Sequence, residues 1–152
     1  MDIKNLPHRN ELFFKKNNFK FINDSKSTNF DSVRYALKNN NNIFLILGGL
    51  LKKGDNFYIR DLKSNILKIY IFGENTSYLR KSLEKQNIPF QHFKKLKQVV
   101  NNFYMNEFTK HCDQKKFFTC LFSPGAASFD QFKNFEERGI KFKKYIYELF
   151  NK

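Results

Sequence analysis

Three stretches of this chain are apolar at almost every position: I-F-L-I-L at 43–47, I-L-K-I-Y-I-F at 66–72 and F-F-T-C-L-F at 117–122. A strand with one wet face alternates apolar and polar residues, whereas these do not, so both faces must be covered. Each stretch ends at a breaker: Gly48-Gly49, Gly73 and Ser123-Pro124-Gly125. The segments between them carry apolar residues at helical spacing. Val33, Ala36 and Leu37 follow Thr28-Asn29-Phe30-Asp31, in which Thr28 is the expected helix cap. Leu79 and Leu83 mark a helix over 76–86, and Val99, Val100, Phe103 and Phe108 mark another over 96–111. A final helical pattern covers 129–150, with Ser128 leading into it and Phe129, Phe132 and Phe135 on its packed face. Ahead of all this, Glu11–Lys16 and 18–23 alternate around Asn17-Asn18, which predicts a β-hairpin. Residues 89–93 predict a short further strand.

Buried strands alternating with amphipathic helices predict an α/β, Rossmann-like fold. Its sheet is mostly parallel and flanked by helices, with the N-terminal β-hairpin added at one edge. With 152 residues, no linker and no internal repeat, the expectation is one domain spanning 1–152. No apolar run approaches the roughly 20 residues of a membrane span, and no apolar stretch follows Met1-Asp2-Ile3-Lys4, so neither a membrane nor a secretory signal is expected. Cys112 and Cys120 have no C-x-x-C spacing and read as reduced thiols of a cytoplasmic protein. The net charge of +14 attracts phosphate-rich partners in principle. The lysines, however, are scattered from Lys4 to Lys152 among many asparagines, phenylalanines and isoleucines, which reads as compositional bias with a solvated surface.

In open parallel sheets, ligands bind beyond the carboxyl ends of the strands. Three polar clusters fall at such ends. Asn23-Asp24-Ser25-Lys26-Ser27-Thr28-Asn29 leads into a helix N-terminus, where free N–H groups suit a carboxylate or phosphate. Gly48-Gly49-Leu50-Leu51-Lys52 follows the strand at 43–47 and supplies a cation. It is no Walker loop, since G-x-x-x-x-G-K-[ST] occurs nowhere in the chain. The third runs from Ser123 through Ser128 to Gly139. Each string taken alone also fits an ordinary turn or cap. A catalytic triad is not expected, because His8, His92 and His111 are far from Ser128 in sequence.

Together and in this order, the clusters resemble the C-terminal domain of the Mur ligases, ATP-dependent enzymes of peptidoglycan assembly. Leu6-Pro7-His8-Arg9-Asn10-Glu11 is similar to the family's segment leading out of its central domain. Phe21-Ile22-Asn23-Asp24-Ser25-Lys26-Ser27-Thr28-Asn29 resembles its INDSKATN string with Ser27 in place of alanine, and Leu47-Gly48-Gly49 with Lys52 resembles its G-G-x-x-K turn. The stretch S-F-D-Q-F-K-N-F-E-E-R-G at 128–139 looks like the signature of the D-glutamate-adding branch. The resemblance implies that Arg9 reaches nucleotide phosphates and Asp24 the ribose. It implies that Thr28 and Lys52 hold one carboxylate of D-glutamate, that Ser128 and the backbone N–H of Phe135 hold the other, and that Lys26 lines the cleft. In the family, ATP converts the alanyl carboxylate of UDP-N-acetylmuramoyl-L-alanine to an acyl phosphate, which the glutamate amine attacks to give amide, ADP and phosphate.

The resemblance implies no catalytic residue and no metal ligand in this chain. ATP and Mg²⁺ are expected to be held mainly by a central domain that the sequence does not contain, and the UDP-sugar by an N-terminal domain that it also lacks. The chain alone is therefore expected to be inactive. Gly125 stands where the family often has alanine or cysteine. Two other function classes remain open at this point: a stand-alone amino-acid or nucleotide binding module without turnover, and a basic nucleic-acid-binding protein motivated by charge alone. No specific nucleic acid is expected.

Overall fold

A computed structural model describes residues 6–48, 57–128 and 131–151. Six strands form one sheet: β1 (Glu11–Lys16), β2 (Phe19–Asn23), β3 (Ile43–Gly48), β4 (Ile66–Phe72), β5 (Gln91–Phe93) and β6 (Phe118–Phe122). Their spatial order is β1-β2-β6-β3-β4-β5. Only β1 pairs antiparallel, with β2; every other neighbouring pair is parallel. The expected α/β architecture with an edge hairpin is what the molecule adopts.

The three doubly apolar stretches are β3, β4 and β6 in the interior of the sheet, covered on both faces except at their starts, where Leu67 of β4 and Phe117, just ahead of β6, are exposed. One face packs Phe44, Ile46, Tyr70, Phe72, Cys120 and Phe122 against α3 (Leu96–Phe103) and α5 (Phe135–Phe150). The other packs Leu45, Leu47, Ile69, Ile71 and Leu121 against α1 (Phe30–Lys38) and α2 (Ser77–Lys85). Alternate residues of each strand thus serve opposite layers, as the period of two requires. The hairpin turns at Asn17, whose φ of 53° suits asparagine. Asn18 then donates its amide to the carbonyls of His111, Gln114 and Lys116, tying the hairpin to the chain ahead of β6.

Several boundaries differ from expectation. The cap of α1 is Asn29, whose side chain accepts from Ser32 N–H at 2.9 Å, and not Thr28. Thr28 lies one residue too early to face that N–H, and it is exposed. The helix over 96–111 contains a π-helical turn, Tyr104–Phe108, before α4 (Thr109–His111). The last helix starts at Phe135, seven residues after Ser128, because Asn134 caps it by accepting from Glu137 N–H at 2.8 Å. Phe132 consequently packs against the core from a turn, and Phe129 lies outside the described residues. A 3₁₀ helix, Arg60–Asn65, has no counterpart among the expected elements.

Candidate functional site

The parallel pairing brings the first and third polar clusters, and the Gly48 that opens the second, to the carboxyl end of the sheet. Asn23 at the end of β2 lies opposite Phe122 of β6, which lies opposite Ile46 of β3. Their carboxyl ends therefore open side by side, and backbone hydrogen bonds join the loops beyond them. Asp24 N–H donates to Phe122 O (2.7 Å), Ser123 N–H to Ile46 O (3.2 Å), Gly48 N–H to Pro124 O (3.2 Å) and Gly125 N–H to Ser27 O (3.0 Å). Gly125 takes φ +76°, and a Cβ there would sit 2.8 Å from Val33 Cγ2, so alanine would be strained on two counts. Gly125 therefore lets this loop pass against Val33 in a conformation that side chains rarely adopt.

The expected site residues fall into three groups. Thr28 and Lys26 are exposed on the loop before α1, with the Lys26 ammonium 5.8 Å from the Phe135 ring centroid. Ser128 is buried on the loop after β6. Phe135 opens α5, so its N–H belongs to the first turn, where no intrahelical carbonyl can accept it. Arg9 is exposed on the turn ahead of β1. Lys52 and Gly49 lie outside the described residues.

Asp24 is only 3% exposed. One carboxylate oxygen accepts from Asn10 N–H (3.0 Å) and the other from the Ser123 hydroxyl (2.8 Å). It therefore braces the N-terminal turn against the end of β6. Burial pushes its carboxyl up to about 6, against the opposing pull of these two hydrogen bonds and of the Arg9 and Arg138 charges.

That turn is held at further points. His8 and Asn10 both have positive φ, 65° and 44°. His8 O accepts from Lys26 N–H (2.8 Å), and the His8 ring meets the Asn23 amide at 2.9 Å. Glu11 accepts from His8 N–H, from Asn23 and from the Lys143 ammonium. Burial would raise the Glu11 carboxyl, but these three partners together hold it below its ordinary value. Gly139 lets α5 pass beside the turn, since a Cβ there would lie on His8 Nδ1.

One residue of this region escaped sequence reasoning as a site member. Arg138 is fully buried and donates to Ser25 Oγ, Ser25 O and Ala126 O. The available signal was spacing: Phe142, Ile146 and Phe150 form a buried stripe at intervals of four, and Arg138 is the next member backwards. A guanidinium on an apolar stripe requires buried acceptors.

The chain was compared with known proteins. No family model matches it. It is 38% identical over 149 residues to the UDP-N-acetylmuramoylalanine–D-glutamate ligase of Prochlorococcus marinus, a match covering 95% of this chain and 31% of the relative. The ligase of the same name from Fusobacterium nucleatum is 37% identical over 148 residues, covering 95% and 33%. Among solved structures, the UDP-N-acetylmuramate-alanine ligase of Thermotoga maritima superposes with a TM-score of 0.56 at 15% identity, covering 94% of this chain and 30% of that one. At that identity the likeness concerns the fold. The chain spans about a third of the length of the curated relatives it matches. Over nearly all of its own length, this chain is a homologue of the C-terminal portion of the UDP-N-acetylmuramoylalanine–D-glutamate ligases, and it has a Mur-ligase fold.

Proposed function

We propose that this chain, over 1–152, is the C-terminal, D-glutamate-binding domain of an ATP-dependent ligase that joins D-glutamate to UDP-N-acetylmuramoyl-L-alanine in the cytoplasm. The observation that supports the reading is that the loops after the adjacent strands β2 and β6, which carry Thr28 and Ser128, are tied to each other and to the first turn of α5, in a chain similar to such ligases. Thr28 and Lys52 would hold one carboxylate of D-glutamate. The Ser128 hydroxyl and Phe135 N–H would hold the other, aided by the partial positive charge of the helix end. Lys26 would keep the cleft cationic. The chain's contribution is to orient the amine for attack and to exclude water from it.

ATP, where bound, would supply the activation of the acyl donor, the alanyl carboxylate. Arg9, an exposed cation beside the loop before α1, would meet its phosphates. Asp24 would contact the ribose through lone pairs that Asn10 and Ser123 leave over. In this reading Mg²⁺ would be held mainly outside this chain, together with the ATP phosphates. The UDP-sugar and the main ATP contacts belong, in this reading, to the two-thirds of the relatives' length that the chain does not match. No helix among the described residues is long and apolar enough to cross a membrane.

Titration of the ¹⁵N-labelled chain with D-glutamate tests the reading, with L-glutamate as control. Amide shifts confined to Thr28, Lys52, Ser128, Phe135 and their neighbours are expected, and Lys52→Ala should weaken binding by roughly 10- to 150-fold, the loss of one charge-assisted hydrogen bond. Equal response to both enantiomers, or shifts remote from the three loops, overturns it. Phosphate release by the chain alone, given ATP, Mg²⁺ and the other substrates, is expected to be absent.

A further inference from the structure

We infer that Arg138 is a positioning residue that sets the separation of the two carboxylate anchors, without itself touching the ligand. The inference rests on the D-glutamate reading of the site. Arg138 is fully buried and its guanidinium is engaged by Ser25 and Ala126, so it acts through what it holds. Burying such a cation costs several kcal/mol unless its donors are matched. Its Nε donates to Ser25 Oγ at 3.0 Å, one terminal nitrogen to Ser25 O at 2.6 Å and the other to Ala126 O at 2.8 Å. Buried Asp24 supplies a compensating negative charge nearby.

These acceptors lie on the two loops that carry the anchors. Ser25 is three residues before Thr28, Ala126 two before Ser128, and Arg138 itself three after Phe135. Ser25 Oγ also donates to Phe135 O at 2.7 Å, which closes a triangle among the loop after β2, the loop after β6 and the first turn of α5. A planar fork has fixed donor spacing, so it fixes the distance between the carbonyls it joins. A core position filled for volume alone would continue the apolar stripe of Phe142, Ile146 and Phe150. A guanidinium there instead links three segments whose only common property is that each bears an anchor. Lysine keeps the charge and most of the stem but offers no fork, so it separates the positioning role from charge.

The test uses the ¹⁵N-labelled chain carrying Arg138→Lys and, separately, Ser25→Ala. The D-glutamate Kd and amide exchange at Ser27 and Gly125 are measured at a temperature where each variant is fully folded, and the thermal midpoint is taken from a separate melt. Arg138→Lys should weaken D-glutamate binding at least about tenfold and speed exchange at Gly125 by a similar factor, because the anchors lose their fixed spacing. Ser25→Ala, which leaves the fork its two carbonyl acceptors, should show a smaller change in the same direction. A lowered thermal midpoint with unchanged Kd and unchanged loop exchange would make Arg138 merely structural and overturn the proposal. If Arg138→Lys does not fold, Ser25→Ala decides by the same two readouts. If the unaltered chain binds no D-glutamate, the site reading fails independently. Arg138 is then judged by loop exchange alone: faster exchange in both variants sustains its bridging of the loops, and unchanged exchange ends it.

Discussion

Asp24 shows how a single side chain couples the site to solution conditions. Its folded carboxyl titrates at about 6, chiefly because of burial, against an ordinary 3.8. Below both values the carboxyl is protonated whether folded or unfolded, and it contributes no pH dependence. Between them the folded state keeps a proton that the unfolded state releases, so stability falls as pH rises from about 4 to about 6, by on the order of 3 kcal/mol, and is flat above. Glu11, held below its ordinary value, acts in the opposite sense: its contribution is present above that value and is lost as pH falls. Comparing the parent with Asp24→Asn isolates the first effect from the second. Urea denaturation at pH 4.5 and pH 7 should show the parent losing about 2 kcal/mol relative to the variant at the higher pH. A difference that does not move with pH would mean that Asp24 is not perturbed. The sequence shows Asp24 as a polar residue at a strand end, but nothing local reveals its burial, which Asn10 and Ser123 create from 14 residues upstream and 99 downstream.

Among the elements, the sheet was the most legible part, because β3, β4 and β6 owe their apolar runs to burial on both faces. The parallel pairing that aligns their ends follows from the helices between them. Helix starts were less legible, since adjacent residues compete as caps and only the backbone decides between them. At α1 the choice lies between Thr28 and Asn29. Asn29, with extended φ and ψ of −145° and 168°, holds Ser32 N–H, while Thr28 stays exposed. Asn29→Ala should therefore cost about 1 kcal/mol of stability, read by chemical denaturation, and Thr28→Ala less than about 0.5 kcal/mol. Thr28→Ala should still weaken D-glutamate binding. If the two substitutions destabilise equally, Thr28 shares the capping role and its hydroxyl is not available as assigned. At α5 the three-residue spacing of Phe129, Phe132 and Phe135 imitates a helix. The Asn134 cap delays the helix to Phe135, which puts the first-turn N–H groups seven residues beyond Ser128.

The molecule as a whole carries a net charge of +14, and the structure shows how that charge is distributed. Exposed lysines occur on β1 (Lys15, Lys16), α1 (Lys38), α2 (Lys81, Lys85), around the start of α3 (Lys94, Lys95, Lys97) and ahead of β6 (Lys115, Lys116). These elements lie on both faces and both edges of the sheet, so the field is broad and has no single axis. A nucleic-acid reader concentrates its cations along one groove or helix and adds side chains that distinguish base edges. An even field gives only the counterion-release term, which is blind to sequence. Duplex DNA should therefore bind this chain with a Kd on the order of 10⁻⁴–10⁻⁶ M near physiological salt, alike for unrelated sequences. Fluorescence anisotropy with two unrelated labelled duplexes across a salt series measures this directly. Affinity should fall steeply and linearly in log–log form as salt rises. A duplex bound selectively with about nanomolar affinity would show that some of these lysines form a specific surface, and the charge would then need a function of its own.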